Sequence, residues 1–107
     1  MPPPPPFDRA IALACTMTTL RARYLSVRCG CGAIETRPVR QMLQVDPGAA
    51  RRSLADVVVH IRCHACRQRP ATIHLCADAH GPGPIRGGPE PGWSVLLLGC
   101  ELDRSPL

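Results

Sequence analysis

The 107-residue chain contains no lysine, so its positive charge rests on 13 arginines, set against eight acidic residues. Aromatic side chains are nearly absent: Phe7, Tyr24 and Trp93 are the whole complement. A chain this short and this poor in large side chains buries a marginal core unless a metal, a disulfide or a partner adds to it. The same length excludes multidomain machinery. No stretch reaches the roughly 20 continuous apolar residues that cross a bilayer as a helix, so no membrane association is expected. A Gly-rich phosphate loop, a His-Glu-x-x-His pair and a serine nucleophile elbow are also missing, and with them the signatures of several common enzyme chemistries. Residues 10–17 are apolar enough to imitate the core of a signal peptide. What precedes them is a proline run with Phe7, Asp8 and Arg9 instead of a basic leader, so a cytoplasmic protein is expected.

Proline, glycine and cysteine are abundant by contrast, at 13, nine and seven residues. Residues 2–6 are all proline; they lack amide donors for a helix or a ladder and favour polyproline II. Residues 1–20 therefore read as a proline-rich flexible tail, in which residues 10–20 either form a short helix or stay loose. Ordered structure is expected over residues 21–80. A strand at residues 23–28, with Leu25 and Val27 on one face, leads directly to Cys29. A return strand follows at 33–36, and Pro38 opens a short helix through Leu43 or Val45, which Asp46-Pro47-Gly48 ends.

Ser53 and Asp56 form a capping arrangement for a helix from Leu54 to about Ile61, although Val57-Val58-Val59 also suits a strand. Residues 71–76 read as a strand with Ile73 and Leu75 inward. Residues 81–92 hold five glycines and four prolines and read as a linker. Residues 93–107 begin with an apolar segment, either a final strand or a docking segment for a partner. The expected fold is a small α+β domain with two cysteine knuckles, a short antiparallel sheet and one or two short helices.

Four cysteines carry the chemistry. Cys63 and Cys66 have the Cys-x-x-Cys spacing that lets two thiolates converge on one tetrahedral Zn²⁺. Cys29 and Cys31 are one residue closer, with Gly30 and Gly32 to accommodate the tight turn. Cys76, His60 and His64 are the substitutes if one of the four is a bystander. Cys15 and Cys100 read as small buried hydrophobes. A closed four-thiolate shell supplies folding free energy and leaves no open position for substrate, so the zinc is expected to be structural and the protein not an enzyme.

Residues 23–75 carry Arg28-Cys29-Gly30-Cys31-Gly32, then Ser53-Leu54-Ala55-Asp56, then Ile61-Arg62-Cys63-His64-Ala65-Cys66 and Arg69-Pro70-Ala71. This arrangement resembles the small uncharacterised zinc-ribbon-like proteins of proteobacterial genomes. The resemblance implies two knuckles joined through helices, a zinc site and no catalytic role. Arg67 stands where such knuckles commonly carry glycine, and the first knuckle is shorter by one residue.

The favoured function is a zinc-stabilised, non-catalytic binding module with a protein-interaction or accessory role. A nucleic-acid-binding zinc ribbon is the first alternative. Residues 21–76 hold ten arginines against Glu35, Asp46 and Asp56, and Arg21, Arg23, Arg28, Arg37, Arg40, Arg51, Arg52, Arg62, Arg67 and Arg69 are candidate phosphate contacts. The second alternative is thiol-disulfide redox chemistry at Cys63-His64-Ala65-Cys66. A thioredoxin-like pair follows a strand and opens a helix, whereas here the predicted order is reversed.

Overall fold

The computed structural model describes residues 5–78 and 92–99. Four strands form one antiparallel sheet in the order β2-β1-β3-β4: β1 (Tyr24–Arg28), β2 (Ile34–Pro38), β3 (Thr72–Cys76) and β4 (Ser94–Leu98). Alternation sets the core face, since successive side chains of a strand point to opposite sides. Leu25 and Val27 of β1 are buried with Ile73 and Leu75 of β3 and Val95 and Leu97 of β4. Leu25 lies opposite Leu75, and Val27 opposite Ile73. Ser26, expected to face outward, is buried as well, because β1 is an interior strand with a neighbour on each side. β2 is an edge strand, and its positions opposite Val27 and Leu25 are Glu35 and Arg37. The apolar layer stops there, and a polar network takes over.

The connections that cover the core are short. Pro38 ends β2 and sits at the N-cap of α2 (Val39–Val45), one residue earlier than the expected helical position. Asp46-Pro47-Gly48 does more than end α2: Pro47 opens a 3-10 helix, Pro47–Arg51, where its missing donor is harmless. The next helix, α3 (Leu54–Val58), has the predicted cap, with Ser53 Oγ accepting from Asp56 N at 3.2 Å. It stops before Ile61. Side chains take its last carbonyls: His60 Nδ1–H donates to Asp56 O at 2.8 Å, and Arg69 Nη1 to Val59 O at 2.7 Å. The β-branched run Val57-Val58-Val59 resists further helix in any case.

Residues 7–20 take the short-helix alternative and serve as cover for the core. Helix α1 (Arg9–Ala14) is capped by Asp8, whose Oδ1 accepts from Ile11 N at 2.9 Å. Ala12, Met17 and Leu20 are buried to 1% exposure or less. The segment is stitched to the chain before α3 by Met17 N to Arg52 O at 2.9 Å and Leu54 N to Cys15 O at 2.8 Å. It is tied to β4 by Arg9 Nε to Leu97 O at 3.1 Å. Phe7 meets Trp93 edge to face at 5.4 Å, and the Arg23 guanidinium lies over the Trp93 ring at 5.0 Å. These contacts explain the ordering: apolar residues at 12, 17 and 20 cover a sheet face that would otherwise be wet.

The apolar segment near the C-terminus takes the strand alternative. Val95 and Leu97 of β4 belong to the core, with a register shift where β4 passes Ile73 and His74. The predicted linker lies outside the described residues except for Gly92, as do Cys100 and residues 101–107.

Two predictions follow from this packing. Met17→Ala should destabilise the protein by about 2–5 kcal/mol, as truncation in a core does, measured by urea unfolding; a tail residue would give no change. Cys76 on β3 is 1% exposed, and burial, helped by the negative charge of Asp78, pushes its thiol up to about 11. The folded chain then keeps a proton that the unfolded chain releases near pH 9. Stability from this thiol is complete below pH 9 and is lost between about pH 9 and 11. The urea midpoint of Cys76→Ala should fall less over that window than that of the parent.

Candidate metal centre

The sheet brings both knuckles to one end. Arg28, the last residue of β1, lies opposite Ile34 of β2 and Thr72 of β3. Cys29 therefore leaves the sheet where the chain from Cys66 enters it, and the backbone bond from Ala71 N to Arg28 O at 2.8 Å fixes that juncture. The Sγ atoms of Cys29, Cys31, Cys63 and Cys66 all lie within 4.8 Å of one another. Across the knuckles, Cys29 and Cys66 are 3.5 Å apart and Cys31 and Cys63 are 3.7 Å apart. Tetrahedral zinc with Zn–S bonds of about 2.3 Å sets its sulfurs about 3.8 Å from one another. A disulfide would need about 2.05 Å. The donor set and its spacing fit a metal ion.

The two knuckles are built alike despite their different lengths. In the first, Cys29 N donates to Ala33 O and Gly32 N to Cys29 O, each at 3.0 Å. In the second, Cys63 N donates to Gln68 O and Arg67 N to Cys63 O, each at 2.9 Å. The residue after the second cysteine is left-handed in both: Gly32 has φ 99° and Arg67 has φ 65°. That region strains residues with a Cβ, which is why glycine is common there. Arg67 meets the same geometric demand with a side chain in place.

Burial and charge grade the four sulfurs. Cys63 is buried, Cys29 and Cys66 are half-buried, and Cys31 is exposed. The backbone N–H groups of Cys66 and Ala65 pull the Cys63 thiol down to about 6. Cys29 and Cys31 move the other way. The N–H groups of Cys31 and Ala33 favour their thiolates, but the neighbouring thiols and burial together outweigh that and raise both. Without a cation, four negative sulfurs in so small a volume repel one another.

The sequence substitutes stay out of the cluster. Cys76 is buried on β3 opposite Tyr24. His60 is exposed and bonded to Asp56 O. His64 is exposed with Nδ1 3.2 Å from Glu35 Oε1, which also accepts from Arg37 Nε at 2.9 Å. Arg37 Nη2 then donates to Arg62 O at 2.9 Å. Glu35 and Arg37, which the sequence reading passed over as a tie, thus fasten β2 to the second knuckle.

Cys63-His64-Ala65-Cys66 occupies a turn between α3 and β3. A thioredoxin-like pair opens a helix, and this one does not. Its sulfurs instead stand beside those of the other knuckle. Among the arginine candidates, Arg23 and Arg37 are half-buried and engaged, while Arg21, Arg28, Arg40, Arg51, Arg52, Arg62, Arg67 and Arg69 are exposed. Among the described residues, no helix is long and apolar enough to cross a membrane.

No family model, curated protein or solved structure matches this chain. What stands of the zinc-ribbon resemblance is the four-cysteine cluster on a small α+β domain; a proteobacterial assignment has no support in these findings.

The shared knuckle geometry gives opposite expectations at equivalent positions. Gly32→Ala should lower stability by about 1–2 kcal/mol by forcing a Cβ into the left-handed region. Arg67→Gly should raise it by up to about 1 kcal/mol, the relief of strain offset partly by glycine's unfolded-state entropy. Paired urea titrations at constant zinc would read both signs.

Proposed function

We propose that the protein is a cytoplasmic, zinc-stabilised, non-catalytic binding module, with Cys29, Cys31, Cys63 and Cys66 as the four ligands of one structural Zn²⁺. The observation that carries this reading is the convergence of four sulfurs, drawn from two knuckles 31 residues apart in sequence, within 4.8 Å. A tetrathiolate shell is coordinatively closed and gives water or substrate no position on the metal. A reducing compartment keeps such thiols available.

The partner is read from the surface. A protein partner is favoured by β4, residues 94–98, which lies at an edge of the sheet formed by the described residues. The exposed apolar side chains Ile11, Ile34, Val45 and Val59 favour it as well. The nucleic-acid reading is favoured by the exposed arginines around the 3-10 helix and the second knuckle, Arg51, Arg52, Arg62, Arg67 and Arg69. Contacts of this kind to phosphates weaken steeply with salt.

Native mass spectrometry of the full chain, purified without added metal, tests the zinc site. One zinc per chain is expected, lost in Cys29→Ser and in Cys63→Ser but kept in His60→Ala, His64→Ala and Cys76→Ala. Structural zinc carries apparent binding energies of about 10–16 kcal/mol, as large as the whole stability of a small domain. Chelation should therefore lower the melting temperature by about 10 °C or more. An intact fold with no zinc bound would overturn the proposal.

A further inference from the structure

A half-open cleft of about 200 Å³ lies beside the cluster, between α2, the 3-10 helix and the segment that runs from α3 into the second knuckle. Met17, Met42 and Ile61 line it with apolar surface. Arg37, Arg52 and Arg62 also line it, together with His60, against a single lining carboxylate, Asp46.

Each of the three guanidiniums is held by a partner within the fold. Arg37 Nε is paired with Glu35 at 2.9 Å, Arg52 Nε with Asp56 at 3.7 Å, and Arg62 Nη1 donates to Ile61 O at 3.0 Å. Glu35 and Asp56 do not line the cleft. Each arginine carries five N–H donors, so these bonds orient the forks and leave further donors on each. Held guanidiniums with donors to spare are groups that recognise phosphate oxygens.

The apolar lining sets the rest of the ligand. The volume is below the usual range of about 300–1,000 Å³ for drug-sized ligands, enough for a flat ring system with its polar substituents left at the mouth. The thioether of the half-buried Met42 is polarizable and packs well on an aromatic face. Asp46 is an acceptor of hydrogen bonds, which a sugar hydroxyl or an exocyclic amine can satisfy. A planar base, hydroxyl or amino donors and a phosphate are together the chemistry of a nucleotide.

We infer that this cleft binds one nucleotide unit: the base against the half-buried Met42 and Val57, a sugar or base donor on Asp46, and the phosphate on Arg37, Arg52 and Arg62. The unit is either a free mononucleotide or the 5′-phosphorylated end of a single strand. The inference goes beyond the binding-module reading, which stands or falls on zinc alone.

Isothermal titration of the zinc-loaded full chain tests it with adenosine 5′-monophosphate, adenosine, inorganic phosphate and a 5′-phosphorylated adenylate decamer. The monophosphate is expected to bind at least about tenfold more tightly than adenosine or phosphate, which is about 1.4 kcal/mol. Arg62→Gln and Arg52→Gln should each weaken it about tenfold, with zinc content and circular dichroism unchanged. Among the described residues the Arg52 side chain makes only its exposed ion pair with Asp56, so its variant remains informative if Arg62→Gln disturbs the end of α3. A decamer that binds more tightly than the monophosphate and is weakened by both variants identifies the end of a strand as the source. A decamer no tighter than the monophosphate identifies the free nucleotide. A monophosphate that binds no better than inorganic phosphate, or binding indifferent to both arginine variants in folded protein, overturns the inference even where zinc is bound.

Discussion

Everything at one end of this molecule depends on three strand ends meeting there. Because β1 ends, β2 begins and β3 begins at one level of the sheet, with Arg28 opposite both Ile34 and Thr72, two knuckles far apart in the chain project from the same edge. Four sulfurs then share a volume too small for four negative charges and hold too little apolar surface to pack as a core. A cation would resolve that conflict; in its absence backbone N–H groups lower the Cys63 thiol, while neighbouring thiols and burial raise Cys29 and Cys31. The polar network of Glu35, Arg37 and His64 continues the same junction on the edge strand.

The other end is closed by packing. The sheet offers Leu25, Val27, Ile73, Leu75, Val95 and Leu97 on one face, and Met17, Leu20, Leu54 and Val58 cover them. With three aromatics in the chain, aliphatic side chains carry this burial, at about 25 cal/mol per Å² of apolar surface. Phe7 and Trp93 meet at the margin, joining the segment before α1 to the start of β4 under the Arg23 guanidinium. The first and last described segments thus support one another, which is why the N-terminal stretch is ordered by tertiary contact more than by its own helix propensity.

How far this was legible in the sequence differs from element to element. β1 and β3 were plain, since the alternation through Leu25 and Val27 and through Ile73 and Leu75 is a local signal that the core confirms. The cap of α3 was equally local, because Ser53 and Asp56 are three residues apart. Its early end was not, because it depends on Arg69 reaching back ten residues to Val59 O. For residues 10–20 the sequence left helix and loose chain open for the same reason: nothing near Met17 in sequence says that Arg52 O will accept its N–H. The cysteine spacing named the four sulfurs that cluster. It could not reveal Glu35 and Arg37 as the tie to the second knuckle, which exists only once β2 is placed at the edge.

The cluster and the cleft are joined by one peptide bond and a short run of side-chain hydrogen bonds. Arg62 precedes Cys63 directly, and its carbonyl accepts from Arg37, whose partner Glu35 is the carboxylate that meets His64 inside the knuckle. The path from sulfur to cleft is therefore one peptide long on one side and two hydrogen-bonded side chains long on the other. If the second knuckle loses its anchor, the Arg62 carbonyl moves, and with it the guanidinium of Arg37 that lines the cleft. Linkage makes such a dependence reciprocal: whatever is bound more tightly when the knuckle is ordered also favours the ordered knuckle, by the same free energy. A structural metal in this position would act beyond stability, because it would fix the positions of arginines that face outward from the fold.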